Sequence, residues 1–171
     1  MPRVNSPAQH NIPAAESPLN LVIDDLRAMD AIILEQLSSD VALVESIGHH
    51  LIDAGGKRLR PATLFLAANA LGVKGNMQHW LGTCIEFIHT ATLLHDDVVD
   101  MSDRRRGKAT ANAKWGNAPS VLVGDFLYSR AFQMLVKTGS LDILGTISDA
   151  TNVISEGEVQ QLANARNANI S

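Results

Sequence analysis

Apolar residues recur at three- and four-residue intervals along most of this chain, and residues that start or stop helices mark the breaks between the runs. Ser17 and Pro18 form a cap and first-turn pair. Leu21, Ile23, Leu26, Met29, Ile32, Ile33 and Leu37 then predict a first helix to about Ser38. Asp40 is expected to cap a second, with Val41, Val44, Ile47 and Leu51 on one stripe and Gly55-Gly56 as its stop. Pro61 opens a third that ends near Gly72. The fourth, Met77 to Asp100, is apolar on nearly every side through Trp80, Leu81, Ile85, Phe87, Ile88, Ala91 and Leu94, as suits the middle of a bundle. A fifth starts at Asn117 or Ser120 and runs through Leu135 and Val136, and a sixth begins around Ser140 and carries Ile143, Leu144, Ile147, Val153, Ile154 and Val159. Strand-type alternation is hard to find. The pattern predicts an all-α fold over residues 18–171, behind a polar, disordered lead-in at residues 1–17.

Composition narrows the function more than the fold. With 171 residues, 46% apolar and 19% charged, the chain has the make-up of one globular domain. A net charge of -4 argues against a nucleic-acid binder with a broad basic surface, so any cationic site must be local. The single cysteine, Cys84, excludes an internal disulfide and a zinc site of its own. It points to core packing and a reducing, cytoplasmic compartment. No apolar run is long enough to predict a transmembrane segment, and the N-terminus lacks the apolar centre of a signal peptide.

Charge is most concentrated in "LLHDDVVDMSDRRRG", Leu93 to Gly107. On a helix reaching Asp100, Asp96 and Asp100 share a face with Cβ atoms roughly 5–6 Å apart. They repel one another, and the negative end of the helix macrodipole adds to the cost. Carboxylates at this spacing suit Mg²⁺, which keeps several waters and completes its shell with substrate phosphates. Arg105 and Arg106 offer forked donors for phosphate oxygens. A second cationic knot, "AGGKRLRP", crowds Lys57, Arg58 and Arg60 at a helix junction; it resembles a phosphate cradle without the spacing of a P-loop. Two anion sites imply two phosphorylated substrates.

"GGKRLRP", "LLHDDVVD", "RRG", "GDFLYSRAF" and "ISEGEVQQL" stand in an order and spacing that resemble trans-prenyl diphosphate synthases, in particular the long-chain bacterial group, over roughly Leu19 to Arg166. The resemblance implies an isoprenoid-synthase-type helix bundle around a deep central cavity. It also implies Mg²⁺-dependent condensation of an allylic diphosphate, farnesyl or geranyl, with isopentenyl diphosphate to a long all-trans chain of the octaprenyl type carried by quinones. By the same resemblance Asp96 and Asp100 hold the Mg²⁺ ions at the allylic diphosphate, with Asp97 the intervening acid, and Arg105 binds that diphosphate. Lys57, Arg60, His89 and Arg106 correspond to the isopentenyl diphosphate ligands. Ala91 and Thr92, small residues one turn before the aspartates, imply a long product, with Phe87 and Met134 lower in the cavity. A homodimer is implied as well.

Plainer readings stand beside these. Asp96 and Asp100 would serve as a solvated helix end, Arg104 to Arg106 as a surface run, and Lys57, Arg58 and Arg60 as a helix-end charge cluster. Arg58 and Arg104 fit that description best. His89 would serve as a hydrogen-bonded core histidine, His95 as an orienter of Asp96, and Asp125 and Tyr128 as structural residues of their helix. Synthases of the family are longer and carry a second aspartate-rich motif in their C-terminal half, which does not occur by Ser171. The expectation is therefore a truncated synthase, its N-terminal part. The alternatives are a non-catalytic small subunit that binds or regulates a partner synthase, and a terpene cyclase, against which the second diphosphate site argues.

Overall fold

The computed structural model describes residues 17–53 and 55–165. The polar lead-in up to residue 16 lies outside the described residues. Ser17 Oγ accepts from the Leu19 amide and starts a 3-10 turn, Pro18–Val22, that runs into α1, Ile23–Leu37. At the start of α2, Ala42–Asp53, the Glu45 carboxylate accepts from the Ser39 amide at 3.1 Å and the Val41 amide donates to Ser39 Oγ at 3.2 Å. The hydrogen bonds at this junction thus come from Ser39 and Glu45, whereas the sequence suggested Asp40.

Helix α3, Leu59–Ala70, begins two residues before Pro61, because Arg58 in the left-handed region (φ 48°) sets its first turn. Pro61 is tolerated there because the first four amides of a helix have no partner within it. Helix α4 spans Met77–Val99 and ends where Met101 turns left-handed, φ 53°. Next comes a feature the pattern does not reveal: an antiparallel pair, β1 (Arg104–Arg105) and β2 (Lys108–Ala109), with Arg104 opposite Ala109. Its turn residues Arg106 and Gly107 both have positive φ, the requirement of a two-residue hairpin turn. Strands of two residues are too short to show alternation. Helix α5, Ala111–Trp115, also unforeseen, is one turn capped by Thr110 Oγ1. Helices α6, Asn117–Lys137, and α7, Leu141–Asn164, complete the described chain.

As its all-round apolarity predicts, α4 is the central helix, with α6 as its most extensive neighbour and α3 and α1 on other sides. Leu94, Ala91 and Cys84 meet Leu127, Ala131 and Leu135 in this core. Cys84 Sγ donates to the Ala131 carbonyl, and burial pushes its thiol up to about 12, which makes it a packing residue. Helix α7 packs through Ile143, Leu144 and Ile147; past Thr151 its Val153, Ile154, Val159 and Leu162 are exposed. Among the described residues, no helix is long and apolar enough to cross a membrane.

Helices α3 and α4 approach closely at Gly82, where an added Cβ would lie 2.6 Å from Phe65 Cζ and 3.3 Å from Met29 Sδ. Phe65 and Met29 are fully buried and have nowhere to retreat. Gly82→Ala should cost about 1–3 kcal/mol in thermal or urea unfolding. The same change at Gly145, where a Cβ meets nothing within 4 Å, should be neutral or gain up to about 1 kcal/mol from helix propensity.

Candidate functional site

The C-terminal turns of α4 spread their acids over different flanks. Asp97 is 3% exposed, and its Oδ1 accepts from Arg105 Nε at 3.0 Å and lies 2.9 Å from Nη2 in an ion pair. Asp96 is half-buried and Asp100 exposed. Burial lifts the Asp96 carboxyl above the usual carboxylate range, and the charge of Glu158 on α7 adds to this; Arg105 opposes it, and Asp100 and Asp97 push it up further. Glu158 is a residue that sequence reasoning missed, although it stands inside "ISEGEVQQL". Asp97, by contrast, is anchored to a guanidinium within the protein.

The hairpin holds Arg105 in place by bonds to its surroundings. Asn112 Nδ2 donates to the carbonyls of Asp97 and Ser102, each at 3.1 Å, and Thr110 Oγ1 donates to Ser102 at 2.7 Å. His50 Nε2 on α2 donates to the Ala109 carbonyl at 2.9 Å, and its ring meets Trp115 edge-on. Arg106 donates to the Gly55 carbonyl, so the two basic motifs touch. Arg58, Met101 and Arg106 are the non-glycine residues with positive φ among the described residues, and all three border this region. Such backbone costs of order 1–3 kcal/mol each and persists where surrounding contacts hold it.

An open cavity of about 880 Å³ lies between α2, α4 and the hairpin, lined by Arg58, Glu86, His89, Asp97, Arg105 and Arg106 above an apolar floor that includes Leu51, Phe87 and Leu127. Lys57 and Arg60 are exposed. Arg60 Nη1 lies 3.1 Å from His89 Nε2. Because arginine only donates, His89 accepts there and its ring is neutral. Its pKa is lowered by burial and then by Arg60, with Arg106 and Arg105 acting in the same direction and Glu86 opposing. Arg58, which looked like a plain helix-end cation, instead reaches Glu86 at 2.5 Å and Asp30 at 3.5 Å.

His95 Nε2 donates to the Val121 carbonyl at 3.2 Å and lies 3.4 Å from Asp125, so it ties α4 to α6 and does not orient Asp96. Tyr128 stacks on Phe132. Of the positions read for product length, Ala91, Phe87 and Met134 belong to the buried core, while Thr92 is half-buried and donates to the His89 carbonyl. A second cavity, about 540 Å³, opens between α3, α4 and α7, lined by Leu64, Leu81, Ile85, Ile143 and Ile147 with Asp142 and Thr146. Ile85 is eleven residues before Asp96, three helical turns along the same face.

Among the described residues, no three His, Cys, Asp or Glu side chains converge closely enough to hold a metal ion unaided. Asp96 and Asp100 still suit a hard divalent cation: they are oxygen donors, and Asp96 is ionised at an energetic cost that a cation would relieve.

Residues 41–171 match the family described as Polyprenyl synthetase. The chain is 57% identical over 151 residues to octaprenyl diphosphate synthase of Escherichia coli strain K12, covering 88% of this chain and 47% of that protein. It is 52% identical over 143 residues to the geranyl-diphosphate-specific all-trans-nonaprenyl-diphosphate synthase of Rhodobacter capsulatus, covering 82% and 44%. A crystal structure of polyprenyl synthase from Caulobacter crescentus CB15, complexed with calcium and isoprenyl diphosphate, superposes with a TM-score of 0.87 at 47% identity, covering 90% of this chain and 47% of that one. The chain spans about half the length of the curated relatives it matches.

Two measurements follow from the geometry. At pH 7 Asp97→Asn should destabilise by about 1–3 kcal/mol in urea unfolding, because a guanidinium loses its buried anionic partner. Asp96→Asn should be neutral or stabilising, since a carboxyl whose pKa is raised on folding opposes folding when it is ionised. In an NMR titration His89 should protonate below the usual 6.5. A base lowered on folding contributes stability that is complete above 6.5 and is lost as pH falls through its folded pKa. A bound diphosphate should move that pKa up.

Proposed function

Because the chain belongs to the polyprenyl synthetase family, we propose that it carries the diphosphate-binding motifs of a Mg²⁺-dependent prenyltransferase. The reaction condenses an allylic diphosphate, farnesyl or geranyl, with successive isopentenyl diphosphates into a long, octaprenyl-like all-trans chain of the kind quinones carry. The observation that carries this reading is the meeting of the two basic motifs at Arg106 and Gly55, beside the acids of α4. One pole offers carboxylates, the other guanidinium forks, within reach of two diphosphates at once.

Asp96 and Asp100 would hold Mg²⁺, with water and diphosphate oxygens completing its shell. The bound ion supplies charge neutralisation for a departing diphosphate. Arg105, fixed by Asp97, faces the same leaving group and stabilises the charge that grows on it as the allylic C–O bond breaks. Lys57, Arg60 and Arg106 bind the second diphosphate, so that the isopentenyl double bond sits against the allylic carbon and attacks the cation. Loss of a proton from the adduct leaves an allylic diphosphate one unit longer. His89, neutral and bonded to Arg60, orients that guanidinium. Ala91 and Thr92 are small, which is the feature that favours a long product, and Phe87, one turn deeper, would be part of the floor that limits it.

The exposed apolar residues of α7, Val153, Ile154, Val159 and Leu162, favour association with a further protein surface, a homodimer in the first instance. They also favour a second reading, a non-catalytic subunit that binds a partner synthase. The lone buried thiol suits the cytoplasm.

The test incubates the chain with Mg²⁺, farnesyl diphosphate and labelled isopentenyl diphosphate and resolves the dephosphorylated products by length. Long polyprenols that disappear on Asp96→Ala, with a rate loss of about a hundredfold or more, support catalysis by this chain. A wild-type chain that binds both diphosphates but makes no product would transfer the assignment to the subunit reading.

A further inference from the structure

Glu86 is an acid in the middle of a largely apolar helix, 9% exposed, and the proposed chemistry does not use it. Burying a carboxylate is costly unless it is paired, and an apolar pair would stabilise the same spot at least as well. Its partner Arg58 is largely buried too, and it holds a backbone conformation (φ 48°) that persists only when fixed from outside. Arg58 sits between Lys57 and Arg60, and His89, the partner of Arg60, lies one turn beyond Glu86 on the same helix. The basic loop is therefore registered on α4 by two contacts a turn apart, Arg58 to Glu86 and Arg60 to His89.

We propose that Glu86 and Arg58 are positioning residues of the second diphosphate site: the buried carboxylate holds the Arg58 guanidinium, and Arg58 holds the left-handed turn from which Lys57 and Arg60 project. This rests on the reading that Lys57, Arg60 and Arg106 bind isopentenyl diphosphate. Both residues line the cavity, but neither is among the groups proposed to bind the diphosphate. Their effect is to leave fewer conformations for Lys57 and Arg60 to lose on binding. Asp30, exposed and at 3.5 Å, is the weaker partner and cannot hold the turn alone.

The experiment titrates isopentenyl diphosphate without divalent metal, and inorganic pyrophosphate with Mg²⁺, into the wild-type chain, Glu86→Gln, Arg58→Gln, the double variant, Glu86→Asp and the surface control Arg27→Ala. Isopentenyl diphosphate should bind about tenfold more weakly to each single variant. The double should be no weaker than either single, because the two act as one unit. Glu86→Asp, which keeps the charge, should recover part of the loss and serves as the test if Glu86→Gln does not fold. Pyrophosphate with Mg²⁺ and the Arg27→Ala control should match the wild type. The His89 pKa should fall further in Glu86→Gln, since Arg60, Arg105 and Arg106 then face it without that opposing charge. A folded Glu86→Gln that binds isopentenyl diphosphate as tightly as the wild type overturns the inference alone, and so does an equal loss for both ligands. A wild-type chain that does not bind isopentenyl diphosphate overturns the functional reading and the inference with it.

Discussion

Helix α4 meets two demands that pull against each other: it must be buried against α1, α3 and α6 along its length, and it must end in aspartates at the pole where its own dipole is negative. Close contacts with α6 reconcile them. Ser120 Oγ donates to the Leu94 carbonyl at 3.3 Å, and His95 reaches Val121 across Gly124, where a Cβ would come within 2.3 Å of the imidazole. These contacts leave α4 no freedom to rotate. Its rotation decides which acid faces inward to Arg105 and which faces α7. A side chain at position 124 would force the imidazole, one residue before Asp96, away and disturb that rotation from the α6 side.

Fixed in this way, the aspartates divide into two kinds. The Asp97 carboxylate is neutralised by Arg105, while Asn112 and Thr110 donate to the backbone carbonyls of Asp97 and Ser102 and so fix the segment between α4 and the hairpin. The Asp96 carboxyl is raised above the usual range, first by burial and then by the charge of Glu158. Arg105 opposes that shift only in part, being paired directly with Asp97. The adjacent acids thus differ in role: Asp97 is satisfied within the protein, and Asp96 is the one that a cation would relieve.

The sequence made the helices legible because burial writes a 3.6-residue period into long segments; α4 and α6 were found within a few residues of their bounds. It did not reveal the Arg104–Ala109 hairpin or α5, whose lengths are below any period, although the adjacent positive-φ turn at Arg106 and Gly107 is what orients Arg105. Charge density located the site, but not the pairing inside it. Asp97 reads like its neighbours in "DDVVD" until its burial is known. Arg58 reads like Lys57 until Glu86, twenty-eight residues away, is seen beneath it. Pairings across such separations depend on how helices pack, which one chain's pattern does not encode.

The same pairings separate two arginines that are adjacent in sequence. Arg105 turns its Nε and Nη2 edge to a carboxylate, so the Nη1 end remains for a phosphate and the guanidinium need not leave Asp97 to bind one. Arg106 donates to a neutral carbonyl, a weaker acceptor than a phosphate oxygen, and exchanging one for the other is favourable. Arg105 is thus a fixed wall of the site. On the proposed reading Arg106 would be its movable member, and because the carbonyl it would release belongs to Gly55, a ligand that took Arg106 would also loosen the loop that presents Lys57. The two contacts on α4, Arg58 to Glu86 and Arg60 to His89, would then keep that loop in register if Arg106 changed partner.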